Sequence, residues 1–387
     1  MIKVNKAQWK TCKFGKIVSN ISERAEPKET NLDIYVGLEH LDPDCIHIKR
    51  KGHPSDVKGT KLRVYPGDII FGKRRAYQRK AAVVDFDGIC SAHAMVVRAN
   101  PEVILPELLP YFMHSDAFMH RAVDVSEGSL SPTIKWKILA EQQFKLPQTE
   151  EQKPIADLLW SIDGSTEKKK CLLGELKQLF KAVVEKNIVS AKGERIQLRE
   201  IATKSVNGFV DGDWIESKDQ SEKGIRLLQL ADIGVREFLD KSHRFISEDT
   251  FERLKCFEVL PGDLLLARMP DPIGRACIVP DIGCKMITAV DCCIIRVDEK
   301  LHNKLYWLYF LNSDFMKRKI ESLASGTTRS RISRKNLEAI QVYYPAKNDQ
   351  DRIVNGMNGL MRTMDAVAES IGLQYQIQKQ IINQIFG

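Results

Sequence analysis

The stretch Gly72-Lys73-Arg74-Arg75-Ala76-Tyr77-Gln78-Arg79-Lys80 sets five cations, one amide and one aromatic ring behind a glycine. Those side chains suit a nucleic acid. Arginine forks onto guanine edges, glutamine onto adenine, and lysine meets phosphate as a point charge. The run ends a longer basic region, because residues 49–80 hold eleven Lys and Arg against two acids, Asp56 and Asp68. So many like charges repel one another on a compact surface unless a polyanion neutralises them. A solvated basic loop is the plainer reading. A second cluster, Gly326-Thr327-Thr328-Arg329-Ser330-Arg331 with Arg334-Lys335 behind it, shifts the balance. Its hydroxyls and guanidiniums suit phosphate oxygens, and the same Thr and Ser are equally able to cap a helix over 332–340. No acid lies between Glu321 and Glu338 to neutralise Arg329 and Arg331, so exposure toward a polyanion is cheaper than unpaired burial. Ser129 and Arg268 complete the candidate contact set.

No catalytic constellation accompanies these residues. The chain has no GxGxxG after a strand, no phosphate-binding Walker loop and no HExxH. Met269-Pro270-Asp271-Pro272 has the wrong order for the loop with which a DNA methyltransferase holds an extruded base. Asp68 with Lys73, and Asp263 with Arg268, superficially resemble nuclease carboxylate–lysine pairs. A tight turn explains Pro66-Gly67-Asp68 and Pro261-Gly262-Asp263 more simply, with Pro setting φ and Asp capping locally. His40, Cys45, His47 and His53 match no closed zinc spacing. The expectation is a non-enzyme that binds no metal and no cofactor of its own.

The elements that would position the two clusters occur twice. Ser115-Asp116, Gly128, Ile134, Pro147, Gln152 and Ile155 return 198 residues later as Ser313-Asp314, Gly326, Ile332, Pro345, Gln350 and Ile353. Tyr111-Phe112 and Arg98 return as Tyr309-Phe310 and Arg296, whereas the Pro-Gly-Asp turn returns after 195. Such a period is too long for a solenoid and marks a duplicated domain pair. Each half opens with short β-like runs (DIIFG, AAVVDF, DLLLAR, CIIRV), followed by the amphipathic spacing of short helices over 108–123 and 305–323.

Each half then closes on a heptad seam. The first runs Ile155, Leu159, Ile162, Thr166, Lys169, Leu173, Leu176, Phe180, Val183, Asn187. The second runs Ile353, Met357, Leu360, Met364, Val367, Ile371, Gln374, Gln378, Ile381, Ile385. Apolar steps of 4 and 3 signify a coiled coil, and the polar entries suit two helices of one chain that must find a single register. The expected arrangement is an antiparallel pair, each helix about 50 Å long at 1.5 Å per residue. The expected division is 1–150, 151–190, 191–348 and 349–387, two α+β modules each followed by a helix.

Bulk properties are those of a soluble chain. It has 387 residues, 43% hydrophobic and 28% charged, with a net charge of +8. No apolar run is long enough for a membrane span, and the first residues lack a signal-peptide core. Nine cysteines without a CxxC pair read as reduced thiols, so a cytoplasmic location is expected; adjacent Cys292-Cys293 read as small buried hydrophobes.

The whole pattern resembles the specificity (S) subunit of type I restriction–modification systems. The resemblance is most specific at Ser325-Gly326-Thr327-Thr328-Arg329-Ser330-Arg331-Ile332-Ser333-Arg334-Lys335-Asn336-Leu337, which is similar to the segment closing recognition domains in that family. The segments 35–41 with 65–72, and 227–233 with 261–265, are similar to the family's first- and second-domain elements. The first closing loop, Gly128-Ser129-Leu130-Ser131-Pro132-Thr133-Ile134, departs from it by lacking an arginine at the place of Arg329. The resemblance implies two similar mixed α/β target-recognition domains separated by two long antiparallel coiled-coil helices. It implies double-stranded DNA as ligand, one half of an asymmetric bipartite site per domain. It implies docking of two methyltransferase (modification) subunits and association with restriction/translocase subunits, which bring S-adenosylmethionine, ATP and Mg. The seam residues from Ile155 to Val183 and from Ile353 to Ile385 are the expected spacer and docking positions. Two other classes remain open on the residues alone: a free-standing DNA-binding regulator, and a degenerate methyltransferase or nuclease.

Overall fold

The computed structural model describes residues 6–190, 193–205, 207–270, 272–326 and 330–387. It divides into two compact units, one made of Met1–Cys171 with Ala368–Gly387 and the other of Leu172–Val367. Each long helix, Thr149–Val184 and Lys347–Phe386, therefore contributes residues to both units. Among the described residues no helix is long and apolar enough to cross a membrane.

In the first unit, strands Val18–Ile21, Met95–Ala99, Ile69–Phe71 and Ala81–Val83 form an antiparallel sheet in that order. Side chains alternate across a strand, so each strand serves two cores. Ile69, Phe71, Met95 and Val97 face the helices, where Phe14, Phe112, Phe118 and Phe144 cluster; Ile70 and Val96 face a second sheet. With both faces covered, Ile69–Phe71 and Ala81–Val83 are apolar throughout rather than alternating. The second unit repeats this sheet with Phe209–Asp211, Cys292–Ile295, Leu264–Ala267 and Ala276–Ile278. There Leu264, Leu266, Cys293 and Ile295 join one core, and Leu265, Ala267, Cys292 and Ile294 the other. Cys292 and Cys293 are fully buried, and burial pushes the Cys292 thiol up to about 12, as expected of small hydrophobes.

The second sheets differ between the units. Both contain a parallel pair, Tyr35–Val36 with Gly88–Cys90 and Ile225–Leu228 with Met286–Thr288. The next strand adds to opposite members: Lys61–Val64 pairs with Gly88–Cys90, whereas Arg244–Ile246 pairs with Ile225–Leu228. The duplicated scaffold has diverged at this outer layer.

The repeated residues are scaffold. Gly67 and Gly262 take φ of +91° and +94°, a region glycine enters without steric cost. In each turn the buried aspartate accepts a backbone N–H three residues back, from Tyr65 or Leu260, at 2.9 or 2.8 Å. Arg98 forks onto Asp68 at 2.6 and 3.0 Å, and Arg296 onto Asp263 at 2.9 and 2.8 Å. Gln152 accepts from the Leu105 N–H and donates to the Val103 and Pro147 carbonyls, while Gln350 accepts from Asn303 and donates to Pro345. The stretches 108–123 and 305–323 are each two helices rather than one continuous face. Leu109–His114 breaks before Asp116–Asp124, and Lys304–Leu311 before Asp314–Leu323. Ser115 and Ser313 are extended at the break, and their hydroxyls cap the second helix by accepting from Phe118 and Met316 N–H.

The heptad seam holds. None of its residues is exposed except Asn187, which lies in the single π turn after Val184. Within the first unit the two helices run antiparallel: Gln378 donates to the Leu159 carbonyl, Thr166 to Gln374, and Lys169 to Ser370. Each of these polar seam positions thus finds a partner on the opposite helix, Thr166 and Gln374 in each other, which favours a single register.

Candidate nucleic-acid interface

The cationic loop leaves the strand Ile69–Phe71 and is closed at its base by the Gly72 N–H donating to Lys80 O at 2.8 Å. Its tip is a one-turn 3-10 helix, Ala76–Gln78, pinned by the buried Ala76 methyl. On either side stand Arg75 and Arg79 with φ of +58° and +52°. Left-handed backbone at a non-glycine residue costs about 1 kcal/mol or more and persists only where neighbours enforce it. Here the closing loop enforces it. Arg75 N–H donates to Pro132 O at 2.8 Å, Ile134 N–H donates to Lys73 O at 2.9 Å, and Arg74 bridges Thr133. The Ser131 hydroxyl accepts from Arg74 Nε at 3.0 Å and from Arg75 Nε at 3.1 Å. Two segments read separately in the sequence thus form one structure, with Gly128 at φ +109° allowing the return.

The cations of this stretch divide into two groups. Arg74 and Arg75 are exposed and, among the described residues, pair with no carboxylate. Tyr77, 55% exposed, and Leu130, 91% exposed, stand on the same joined loops, and Ser129 is exposed beside them. Arg79 is different: it pairs with Asp44 and Asp116 at 2.5 and 3.0 Å and donates to His114 O. Lys80 donates to Leu38 O at 2.7 Å. Both hold the loop to the unit rather than offering it to a ligand. Gln78 is half-buried between the groups.

Behind the tip lies a cleft of about 670 Å³ whose walls include Arg24, Lys61, Lys73 and Lys135 together with Trp136, and no Asp or Glu. Burial lowers the pKa of Lys73, since little on the protein compensates its desolvated ammonium. Lys135 pairs with Glu127 at 2.6 Å, and Lys61 donates to two backbone carbonyls. Lys61 belongs to the basic region 49–80 already read in the sequence, but Arg24 and Lys135 escaped that reading because they lie far from it in the chain, with no local cluster to betray them.

The second unit arranges the corresponding residues otherwise. Ile332 N–H donates to Arg268 O as Ile134 does to Lys73, so the closing loop docks in the same way. Arg268, expected at the ligand face, is only 3% exposed; it pairs with Asp211 at 3.1 Å and donates to Val290 O. Its charge is met inside the fold, which removes it from a contact surface. Arg331 has an acid after all: Asp291, forty residues earlier in sequence, lies 3.3 Å away. Arg334 reaches Asp211 and Glu338. Ser333, rather than an earlier hydroxyl, caps the helix Arg334–Glu338. Thr327, Thr328 and Arg329 lie outside the described residues.

The candidate metal ligands have other partners. His40 Nδ1 accepts from Gly37 N–H, His47 Nε2 meets Asp163 at 2.7 Å, and His53 caps a turn. Among the described residues no three His, Cys, Asp or Glu gather as a metal site. On the long helices, Ile155, Leu159, Phe180, Met357, Met364 and Ile385 are buried within their own units. A buried seam residue spaces but has no surface left for a partner. The outward apolar residues are Leu158, Leu373 and Ile377 in the first unit, and Leu172 and Leu179 in the second.

Two copies of one scaffold, differing in their outer sheets and presented loops, define a duplicated recognition protein. The family described as type I restriction modification DNA specificity domain matches residues 26–178 and again 181–372. The chain belongs to this family and carries its domain twice. A putative type I restriction enzyme MjaX specificity subunit from Methanocaldococcus jannaschii is 24% identical over 84% of this chain and 79% of that protein. The MjaVIII specificity subunit from the same organism is 24% identical over 67% of this chain and 64% of its own length. Among solved structures, one described as the basis of complex assembly and conformational transition of the type I R-M system covers 100% of this chain and 99% of its own, with TM-score 0.67 and 18% identity. An S subunit from M. genitalium aligns over 100% of this chain and 98% of its own, with TM-score 0.56 and 13% identity. The role that goes with the family is DNA specificity, not catalysis.

Proposed function

We propose that this chain reads a two-part DNA site, one part with each unit, and directs a methyltransferase and an ATP-driven nuclease to it. One observation carries the reading for the first unit: Arg74 and Arg75, free of carboxylates, stand beside a cleft lined by cations and no acid. The tip would contact base edges and the cleft phosphates, because forked guanidiniums discriminate bases whereas dispersed lysines meet the backbone. Tyr77 and Leu130 supply apolar contact at the tip. In the second unit, residues 327–330 and Lys335 are the candidates that remain once Arg268 and the Asp291-paired Arg331 are set aside. The two units would read different sequences, since GKRRAYQRK and ARMPDPIGR present different chemistry.

Residues 1–150 and 191–348 are proposed as the recognition segments, and 151–190 and 349–387 as spacer helices. Their outward residues Leu158, Leu172, Leu179, Leu373 and Ile377 would dock two modification subunits. S-adenosylmethionine, ATP and Mg would be held by partner subunits and none by this chain. A chain with this role would act in the cytoplasm, where chromosomal and invading DNA is found.

Methylated adenines mapped in cells carrying the parent chain or Arg74→Ala/Arg75→Ala test the reading. A base contact costs about 1–3 kcal/mol when lost, so the variant should relax the first half-site and leave the second intact. An unchanged methylome would return residues 73–80 to a solvated loop.

A further inference from the structure

The geometry points to Ser131 as a positioning residue for specificity: its single hydroxyl sets the directions of the two guanidiniums that read the first half-site. The inference rests on the proposed DNA-facing role of Arg74 and Arg75. An arginine side chain on a loop tip ordinarily samples many rotamers, and a reading contact must recover that entropy before it discriminates. Ser131 Oγ has two lone pairs, and the structure uses both, one for Arg74 Nε at 3.0 Å and one for Arg75 Nε at 3.1 Å. Binding at Nε leaves the two terminal nitrogens of each guanidinium available to a ligand. A carboxylate in the same place would have cancelled the charge, whereas a hydroxyl orients it and leaves it whole.

Three further features of the loops support this role. The Ser131 backbone is held by its neighbours, because Pro132 O accepts from Arg75 N–H and Thr133 bridges Arg74. Arg75 is confined at φ +58°, so its Cα–Cβ direction is fixed as well. In the second half of the sequence Arg329 stands at the place of Ser131, so the serine belongs to the first unit alone.

The test uses the full chain assembled with its modification subunits, comparing binding to a duplex bearing the mapped site with one whose first half-site is scrambled. Ser131→Ala should lower the cognate-to-scrambled affinity ratio by about tenfold, the size of one lost orienting contact to a charged group. The salt slope should stay unchanged, because every cation remains. Ser131→Thr keeps the hydroxyl and should restore the ratio. An unchanged ratio in Ser131→Ala, with a reduced one in Arg74→Ala/Arg75→Ala, overturns the positioning role and leaves the DNA-facing reading standing. No change in either variant overturns both. Equal loss on the two duplexes with a lowered unfolding temperature makes Ser131 a structural anchor and overturns the inference.

Discussion

At the scale of single residues, the groups that bind inward and those that face outward are the same chemical types, sorted by their partners. Arg98 and Arg296 serve buried carboxylates, and removing one leaves an aspartate without its counter-ion. Asp68 is fully buried, but the Arg98 side chain is 47% exposed. Arg98→Ala should therefore cost about 2–3 kcal/mol, below the loss on breaking a fully enclosed pair. Denaturant unfolding would show it, and a loss under about 1 kcal/mol would mean the turn stands without its arginine. His47 offers a pH handle. Its hydrogen bond to Asp163 raises the imidazole pKa above the ordinary 6.5, against an opposing desolvation. A group whose pKa is raised on folding stabilises most when protonated in both states. The contribution should be full below about pH 6.5 and fade as pH climbs through the raised folded value. His47→Gln keeps a donor toward Asp163 without titrating. The parent should gain thermal stability over this variant at pH 5.5 relative to pH 8.5, and parallel profiles would contradict the pairing.

At the scale of elements, the long helices owe their pairing to a seam in which apolar residues supply burial and polar ones supply register. Thr166 meets Gln374 and Lys169 meets Ser370 in the antiparallel alignment of the first unit. A slipped pair would lose these cross-helix bonds, leaving Thr166 only its bond to the Ile162 carbonyl. Deleting one heptad from both helices removes about 10 Å of helix, roughly three base-pair steps of 3.4 Å. If the helices set the spacing between half-sites, the spacer in mapped methylation sites should change by about that number of base pairs. The same spacer in the deletion strain would relieve the helices of that role.

At the scale of the whole molecule, duplication has kept the frame and released the surface. The repeated residues build turns, caps and cores, and the parts that differ are the outer sheets and the loops. Charge follows the same division. The first unit leaves Arg74 and Arg75 to a ligand and lines its cleft with Arg24, Lys61 and Lys73, with Lys135 held on Glu127, whereas the second neutralises Arg268 and Arg331 internally. Cleft lysines facing phosphates release counterions on binding. Lys61→Ala with Lys135→Ala should flatten the log–log salt dependence by roughly 2, at about 0.9 per phosphate contact, with discrimination at both half-sites retained. Lost discrimination with an unchanged slope would assign these lysines to bases instead.

The sequence alone determined the duplication, the two helices with their seam, the turn at each Pro-Gly-Asp and the family, because each is written in local spacing or in residues that recur. It also located the cationic loop. Tertiary structure decided which of those cations are available. Arg79 and Arg268 differ from Arg74 in being drawn into the fold, where they meet Asp44, Asp116 or Asp211, and those acids come from distant segments. The cleft walls at Arg24, Lys61 and Lys135 meet for the same reason: strands and loops far apart in sequence converge there. Ser131, unremarkable between Leu130 and Pro132, gains its role only when the closing loop folds back onto Arg74 and Arg75. Charge is a property of the residue, but its availability is a property of its neighbours, and neighbours are set by the fold.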